Sequence, residues 1–475
     1  MRRGERSKLR RRAAGRQRAA AAALAVLAAL AALFGPACAG PCRSMEAARR
    51  ALAATPEQVT RAPHARIQLP FPVANRLIAD ALAPPPELPV SLLRLGPLAG
   101  VIGDVRAIPR EVVLGPAATP GRVHASVRIE LADKTGALLW VRASGDVAPV
   151  LERRGSGSGT GTAGADGTGG LDLVLDLGQL SRLEPELGPR AQAELGALLE
   201  ARLPAAVRDR TPRFVIDRVA AAVVEEAIEQ SFRLLRGALL PRLRERTQIR
   251  VELPDVPLAR VDVTTTPAAL ALDVFTTLPV RAGVGAAPPV ADAISVQIAG
   301  DAATRGANWG ISHGALPPRY TRTLKPDRDG AYVPHFEWRP GDPVRPLVVH
   351  MFRVEGGCAH FAVGVLPRLE VVNGRARAWI DNRRLEQADG PLVLELLART
   401  KALVERSTSA KQQGPGSVRL TVGGREVTTR LLAAEVAGDE LRAAVAVAVA
   451  PAPAPAPPPP PAPGAAPAPA PAPAP

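Results

Sequence analysis

The sequence predicts an α+β protein: long antiparallel β-sheet wrapped around long amphipathic helices in one or more elongated modules, followed by a disordered Pro-Ala tail. Three observations carry that expectation. Several runs alternate apolar and polar side chains, the period of a strand with one wet face. Other stretches space apolar residues three and four apart, the period of a helix with one buried stripe. Asn-Gly, Gly-Gly and Asp/Gly clusters separate the alternating runs where a tight turn is needed. The 475 residues are 47% hydrophobic and 3% aromatic, so Ala, Val and Leu must build the core. That excludes wholesale disorder and an aromatic-rich nucleic-acid binder. Mean hydropathy is +0.05. A single apolar run approaches bilayer length, which excludes a polytopic membrane protein.

Residues 1–39 have the three parts of a secretory signal. Met1–Arg18 is basic, with nine Arg or Lys and one acid, Glu5. Ala19–Phe34 is apolar, and its sixteen residues fall short of the about 20 that a spanning helix needs. Gly35-Pro36 breaks this helix, and Ala37-Cys38-Ala39 places small residues for cleavage before Gly40. Two alternatives compete: an uncleaved anchor, and a lipoprotein anchored through Cys38 or Cys42. Neither cysteine has a Leu three residues before it; Gly35 and Ala39 stand there. The expected location is outside the cytoplasm, in the periplasm or outer envelope. Over half of the formal charge of +15 sits in this leader, so the basicity argues for no nucleic-acid partner. Cys42 and Cys358 can pair in an oxidising compartment. The competing reading, which the sequence favours, has Cys358 as a small buried apolar residue and Cys42 in a disordered stretch.

Residues 40–65 form a lead-in with a short Ala-rich helix. An N-terminal α+β module is expected over 66–283. Val73, Leu77, Ile78, Ala81 and Leu82 share a face, which predicts a helix over Val73–Leu82. Val123, Ala125, Val127, Ile129 and Leu131 alternate with polar neighbours, which predicts a strand over Arg122–Leu131. Asp133-Lys134-Thr135-Gly136 is its turn and Ala137–Val147 the return strand. Gly155–Gly170 reads as a flexible loop, after which Leu171, Leu173, Leu175 and Leu177 resume the alternation. Helical stripes follow over Pro189–Leu203 and over Pro212–Leu240, the second opened by an N-cap Thr211 and a proline at N1. Strands return at Gln248–Leu253, Leu258–Val263 and Leu270–Val280.

Residues 284–345 read as an irregular insertion or linker, because Asp301–Arg345 is rich in Gly, Pro, Arg and Asp and weakly periodic. A C-terminal α+β module is expected over 346–449. Asn373-Gly374 joins Arg368–Val372 to Arg375–Ile380 as a hairpin, and Gly423-Gly424 joins Val418–Val422 to Glu426–Leu432. A helix fits Pro391–Glu405 and a last strand Leu441–Val449. Residues 450–475 form the tail, in which Pro451–Pro475 holds 14 of the 50 prolines. It has no large side chain to bury and spans roughly 75 Å as polyproline II.

Catalytic patterns fail on context. Gly310-Ile311-Ser312-His313-Gly314 matches a nucleophile elbow, which needs a strand before the Ser and a helix after it. Pro317-Pro318 stands against that helix. Gly159, Gly161 and Gly164 match G-x-G-x-x-G, but alternation rather than a helix follows, so no phosphate cradle forms. His313, His335, His350 and His360 join Cys358 within one 48-residue window. Only Cys358-Ala359-His360 shares a strand face, so scattered structural histidines are expected rather than zinc ligands. Glu225, Glu226 and Glu229 fall on a solvated helix face. No enzyme, metal or cofactor is expected.

In element order, with strands such as Arg122–Leu131 and Leu270–Val280 flanking the helix Pro212–Leu240, the chain resembles the tubular lipid-binding (TULIP) superfamily. The resemblance covers about Ile67–Val280, with Val348–Val449 as a second unit. It implies binding or carriage of a lipid or other long apolar molecule in a tunnel or groove. The implied lining is Ile216, Val219, Val223, Ala227, Ile228 and Leu234 on the helix, with Val127, Ile129, Leu272 and Val274 on strands. Each methylene buried there contributes about 0.8 kcal/mol, so such binding needs no catalytic side chain. A membrane surface or the cell wall is a further candidate partner. The alternative is an envelope structural or protein-interaction module tethered by its Pro-Ala tail, without ligand.

Overall fold

The computed structural model describes residues 39–54, 56, 58–90, 105–133, 136–153, 170–175, 180, 182–185, 201, 205, 212, 214–215, 218, 237, 240–252, 257–321, 325–353, 355, 357–390, 412–413 and 420–449. Helix α1 (Ala39–Ala53) leads to strand β1 (Ala65–Pro70), which runs without a loop into α2 (Phe71–Ala81). Then come β2 (Leu88–Val90), β3 (Val105–Pro116), β4 (Val123–Asp133), β5 (Gly136–Val147), β6 (Pro149–Arg153), β7 (Gly170–Leu175) and β8 (Arg182–Pro185). Helix α3 (Leu240–Thr247) precedes β9 (Ile249–Glu252), β10 (Leu258–Thr265) and β11 (Ala269–Thr276). Strand β12 (Ile294–Ala299) again passes directly into a helix, α4 (Gly300–Ser312). The chain finishes with β13 (Tyr332–Trp338), β14 (Leu347–Arg353), β15 (Ala359–Val372), β16 (Arg375–Asp389), β17 (Gln412–Gln413), β18 (Leu420–Val422), β19 (Arg425–Ala437) and β20 (Glu440–Val449).

A curled ten-stranded sheet has the order β10-β11-β1-β12-β20-β19-β18-β9-β7-β6. Two five-stranded sheets, β2-β3-β4-β5-β8 and β13-β14-β15-β16-β17, complete the architecture. Around the central antiparallel pair β1–β12 the same order occurs twice. A central strand feeds a helix, a five-stranded sheet follows, and a late hairpin (β10–β11 or β19–β20) returns beside its own central strand. The sheet thus takes strands from 66–283, from 346–449 and, through β12, from the stretch between them.

Alternation decides which side chains face inward. On β1, Ile67 and Leu69 point into the curl, while Arg66 and Gln68 point out. The outward groups are paired under the segment 277–293: Arg66 Nε donates to Asp273 at 2.6 Å and Gln68 Nε2 to the Ala287 carbonyl at 3.0 Å. No polar group of either side chain has to enter the apolar side. Helix α2 is apolar on most sides, burying Phe71, Val73, Ala74, Leu77, Ile78 and Ala81 between the curled sheet and β3. Val123, Ala125, Val127, Ile129 and Leu131 of β4 are buried in the same core.

The expected helix Val73–Leu82 and the strands around 122–147, 248–280, 368–380 and 420–449 are present within a few residues of the sequence reading. The Asn373-Gly374 turn has both residues at positive φ, 53° and 74°, as a two-residue hairpin requires. Three expectations need correction or restriction. The helices over Pro189–Leu203, Pro212–Leu240 and Pro391–Glu405, the leader, the loop 155–170 and the Pro-Ala tail lie outside the described residues, apart from isolated positions. Among the described residues the helix enclosed by the curled sheet is the eleven-residue α2. Second, the stretch read as irregular holds β12, α4 and β13. Gly300, the residue before the Gly- and Pro-rich stretch, opens α4 where a Cβ would clash with the Trp338 ring. Third, Cys42 and Cys358 form a disulfide across 316 residues, which overturns the favoured unpaired reading. Helix α1 is part of the fold, with Met45 buried, Ser44 Oγ donating to Asp389 at 3.1 Å and Arg49 over the Phe352 ring.

Candidate functional site

Seven strands and α2 meet around an apolar hollow of about 90 Å³. Its walls are Ile67 and Leu69 on β1, Leu270 and Leu272 on β11, Ile294 and Val296 on β12, and Val445 and Val447 on β20. Thr429, Ile249, Leu173 and the α2 residue Leu77 close it. The strand pairs stand two residues apart, so one face of each strand supplies both. Thr429 carries the single side-chain polar atom of this lining.

Of the lining residues inferred from sequence, Leu272 is in the wall and Val274 is buried two residues further along the same face of β11. Val127 and Ile129 are buried in the adjoining core on β4, away from the hollow. Ile216, Val219, Val223, Ala227, Ile228 and Leu234 lie outside the described residues. Sequence reasoning missed Ile67, Leu69, Ile294 and Val296. Their alternation was readable, but only the sheet order shows that β1 and β12 are central.

A second cleft of about 600 Å³, with mixed polar and apolar lining, lies between the C-terminal end of α1, residues 278–281, one face of α4, and β13. Asp301 at its base is 2% exposed and accepts from Arg281 (Nη2 at 3.2 Å) and Arg305 (Nε at 3.3 Å). Arg281 also approaches Glu337 at 3.9 Å. His335 and Phe336 complete the β13 wall.

Beside the cleft, the sheet register sets His335 opposite His350, while His360, opposite Phe352, lies diagonally across from His350. They were expected to be scattered. His350 Nδ1 lies 3.1 Å from His360 Nε2, and His350 Nε2 lies 3.2 Å from Glu337. His335 Nε2 lies 3.3 Å from the Asn308 side-chain nitrogen, so the three rings do not converge on a common centre. Among the described residues no group of three or more His, Cys, Asp or Glu is placed to hold a metal ion. Burial, with the neighbouring His350, pushes both His335 and His360 down to about 4. The hydrogen bond with His350 holds the Glu337 carboxyl below the usual carboxylate range. His313 stands apart, stacked on Trp309 at the end of α4, and Cys358 is spent in the disulfide. Ser312 of the elbow-like motif closes α4, so a helix rather than a strand precedes it.

No family model and no curated protein matches the chain. Among solved structures, P47 of Clostridium botulinum E1 is similar over 81% of this chain and 98% of its own, at 6% identity and a TM-score of 0.38. P47 from Clostridium botulinum A2 is similar over 81% and 97%, at 8% identity and 0.36. A lipopolysaccharide binding protein is similar over 82% and 99%, at 11% identity and 0.23. At these TM-scores the likeness carries no argument about what this chain binds.

Proposed function

We propose that the chain is an exported cell-envelope protein, of the tubular lipid-binding kind, that holds the apolar part of a lipid or other long apolar molecule without catalysis. The observation that carries this reading is the hollow lined by aliphatic side chains on the inner face of the curled sheet. Its walls offer hydrophobic burial and one hydroxyl, so selection there is by length and shape. At about 90 Å³ it is smaller than the about 150 Å³ cavity that admits benzene. It accepts the end of an acyl chain, and a longer guest requires the curl to widen. The Cys42–Cys358 disulfide supports an oxidising compartment, hence export. That bond uses the Cys42 sulfur, so lipid attachment, where it occurs, falls to Cys38.

The small size of the hollow favours the second reading, an envelope structural or interaction module whose apolar faces pack against one another. Displacement of a fluorescent fatty acid separates the two. The lipid reading predicts saturable binding, weakened at least about tenfold by Leu272→Trp, which fills the hollow. No saturable binding, or equal affinity in the folded variant, leaves the structural reading standing.

A further inference from the structure

The two helices α2 and α4 hold corresponding places in the repeated order, and each clamps a strand of its own five-stranded sheet through one Asn side chain. Asn75 donates to the Leu114 carbonyl at 3.0 Å and accepts from the Leu114 amide at 2.7 Å. Asn308 does the same to Phe336 at 2.7 and 2.9 Å. The remaining faces differ. Where α2 buries aliphatic side chains, α4 turns Asp301, Thr304, Arg305, Trp309 and Ser312, with Asn308, toward the 600 Å³ cleft. They are spaced three and four residues apart, so they share one face. The clamp accounts for Asn308 alone, and the first half builds the same junction with an apolar helix. Asp301 also anchors the Arg281 amide at 2.6 Å, and Thr304 bonds back to the Gly300 and Asp301 carbonyls, so Trp309 and the remaining N–H groups of Arg305 are what the junction leaves over.

Charge within the cleft is already cancelled. Arg281 and Arg305 share Asp301, while Glu337 faces Arg281, Arg339 and His350. A charged ligand competes with the existing partners of these pairs for counter-charge, whereas a neutral one does not. The guanidiniums keep donors to spare: Arg305 spends its Nε on Asp301, and a guanidinium carries five N–H groups. Trp309 lines the cleft and is stacked on the His313 ring at 4.4 Å and 18°, which braces the indole. The facing wall, Ala51–Ala54 and Pro56, is bare of polar side chains, and Leu278 and Pro279 add to its apolar surface. A braced indole offers a negative face to the polarised C–H groups of a pyranose. Mixed donors and acceptors suit hydroxyls, which do both. The volume lies in the about 300–1,000 Å³ range of small-molecule sites.

We infer that this cleft is a binding site for an uncharged sugar unit, separate from the apolar hollow. The full chain is titrated with N-acetylglucosamine and cellobiose as neutral probes, and with glucose 6-phosphate and glucosamine as charged counterparts, by calorimetry and tryptophan emission. A neutral sugar binds and changes the emission; the charged counterparts bind more weakly. Trp309→Phe abolishes the emission change, and Trp309→Ala weakens binding at least about tenfold. Ala53→Trp, at an exposed position on the bare wall, blocks the cleft without touching a core and serves where Trp309→Ala fails to fold. The fluorescent fatty acid binds all three variants as it binds the parent, so loss of sugar binding is read independently of the lipid site. Absence of binding by both neutral sugars, tighter binding of a charged one, or undiminished affinity in folded Trp309→Ala or Ala53→Trp overturns the inference.

Discussion

Imidazole rings buried side by side have a cost that depends on pH. His360 is 1% exposed, and its neighbours are His350, Phe352 and the Asp389 carboxylate at 3.8 Å. His335 faces His350, Glu337, Arg305 and, from α1, Arg49. An unfolded histidine takes its proton near 6.5, whereas these two resist until about 4. Between those values the unfolded chain binds more protons, so stability falls as the pH drops from about 6.5 to about 4 and gains nothing from these groups above that window. Urea midpoints measured across this range should decline toward acid, and His360→Gln should flatten the decline. A midpoint independent of pH in the parent would refute this account of the histidines. The sequence showed four histidines in one window. It could not show that three meet, because that depends on the pairing of β13 with β14 and of β14 with β15.

Elements whose pattern is set by local periodicity were readable, and those shaped by a distant contact were not. The alternation of β4, the Asn373-Gly374 hairpin and the face of α2 each follow from neighbours in sequence. Helix α4 looked irregular because its face carries no apolar stripe: Asp301 answers to Arg281 and Asn308 to Phe336, both outside the helix. Helix α1 looked loose because its anchor is Cys358. That anchor yields a prediction at this scale. Removing a native disulfide from a small secreted domain costs about 2–5 kcal/mol, and Cys358→Ser should fall in that range by urea unfolding. It should also speed tryptic cleavage at Arg43, Arg49 and Arg50, which ride on α1. Unchanged stability and unchanged cleavage would mean that the Met45, Ser44 and Arg49 contacts hold the helix without the disulfide.

For the whole molecule, the repeated strand–helix–sheet order places two helices at equivalent junctions with different chemistry on their free faces. Strands of both halves and Leu77 of α2 line the apolar hollow, whereas α4 turns polar residues toward an open cleft. The apolar lining was partly legible: Leu272 could be named from alternation, but the partners on β1, β12 and β20 needed the sheet order. The cleft was not legible, since its residues come from α1, the segment 278–281, α4 and β13, and the first of these lies far from the rest along the chain. The central claim is that the inner face of the curled sheet accommodates an apolar guest. Native mass spectrometry of the full chain, with solvent extraction of the same sample, tests it most directly. The account predicts a stoichiometric apolar adduct that the extract recovers and that Leu272→Trp loses. A parent protein of bare-chain mass, with an empty extract and no uptake of added fatty acid, would contradict it.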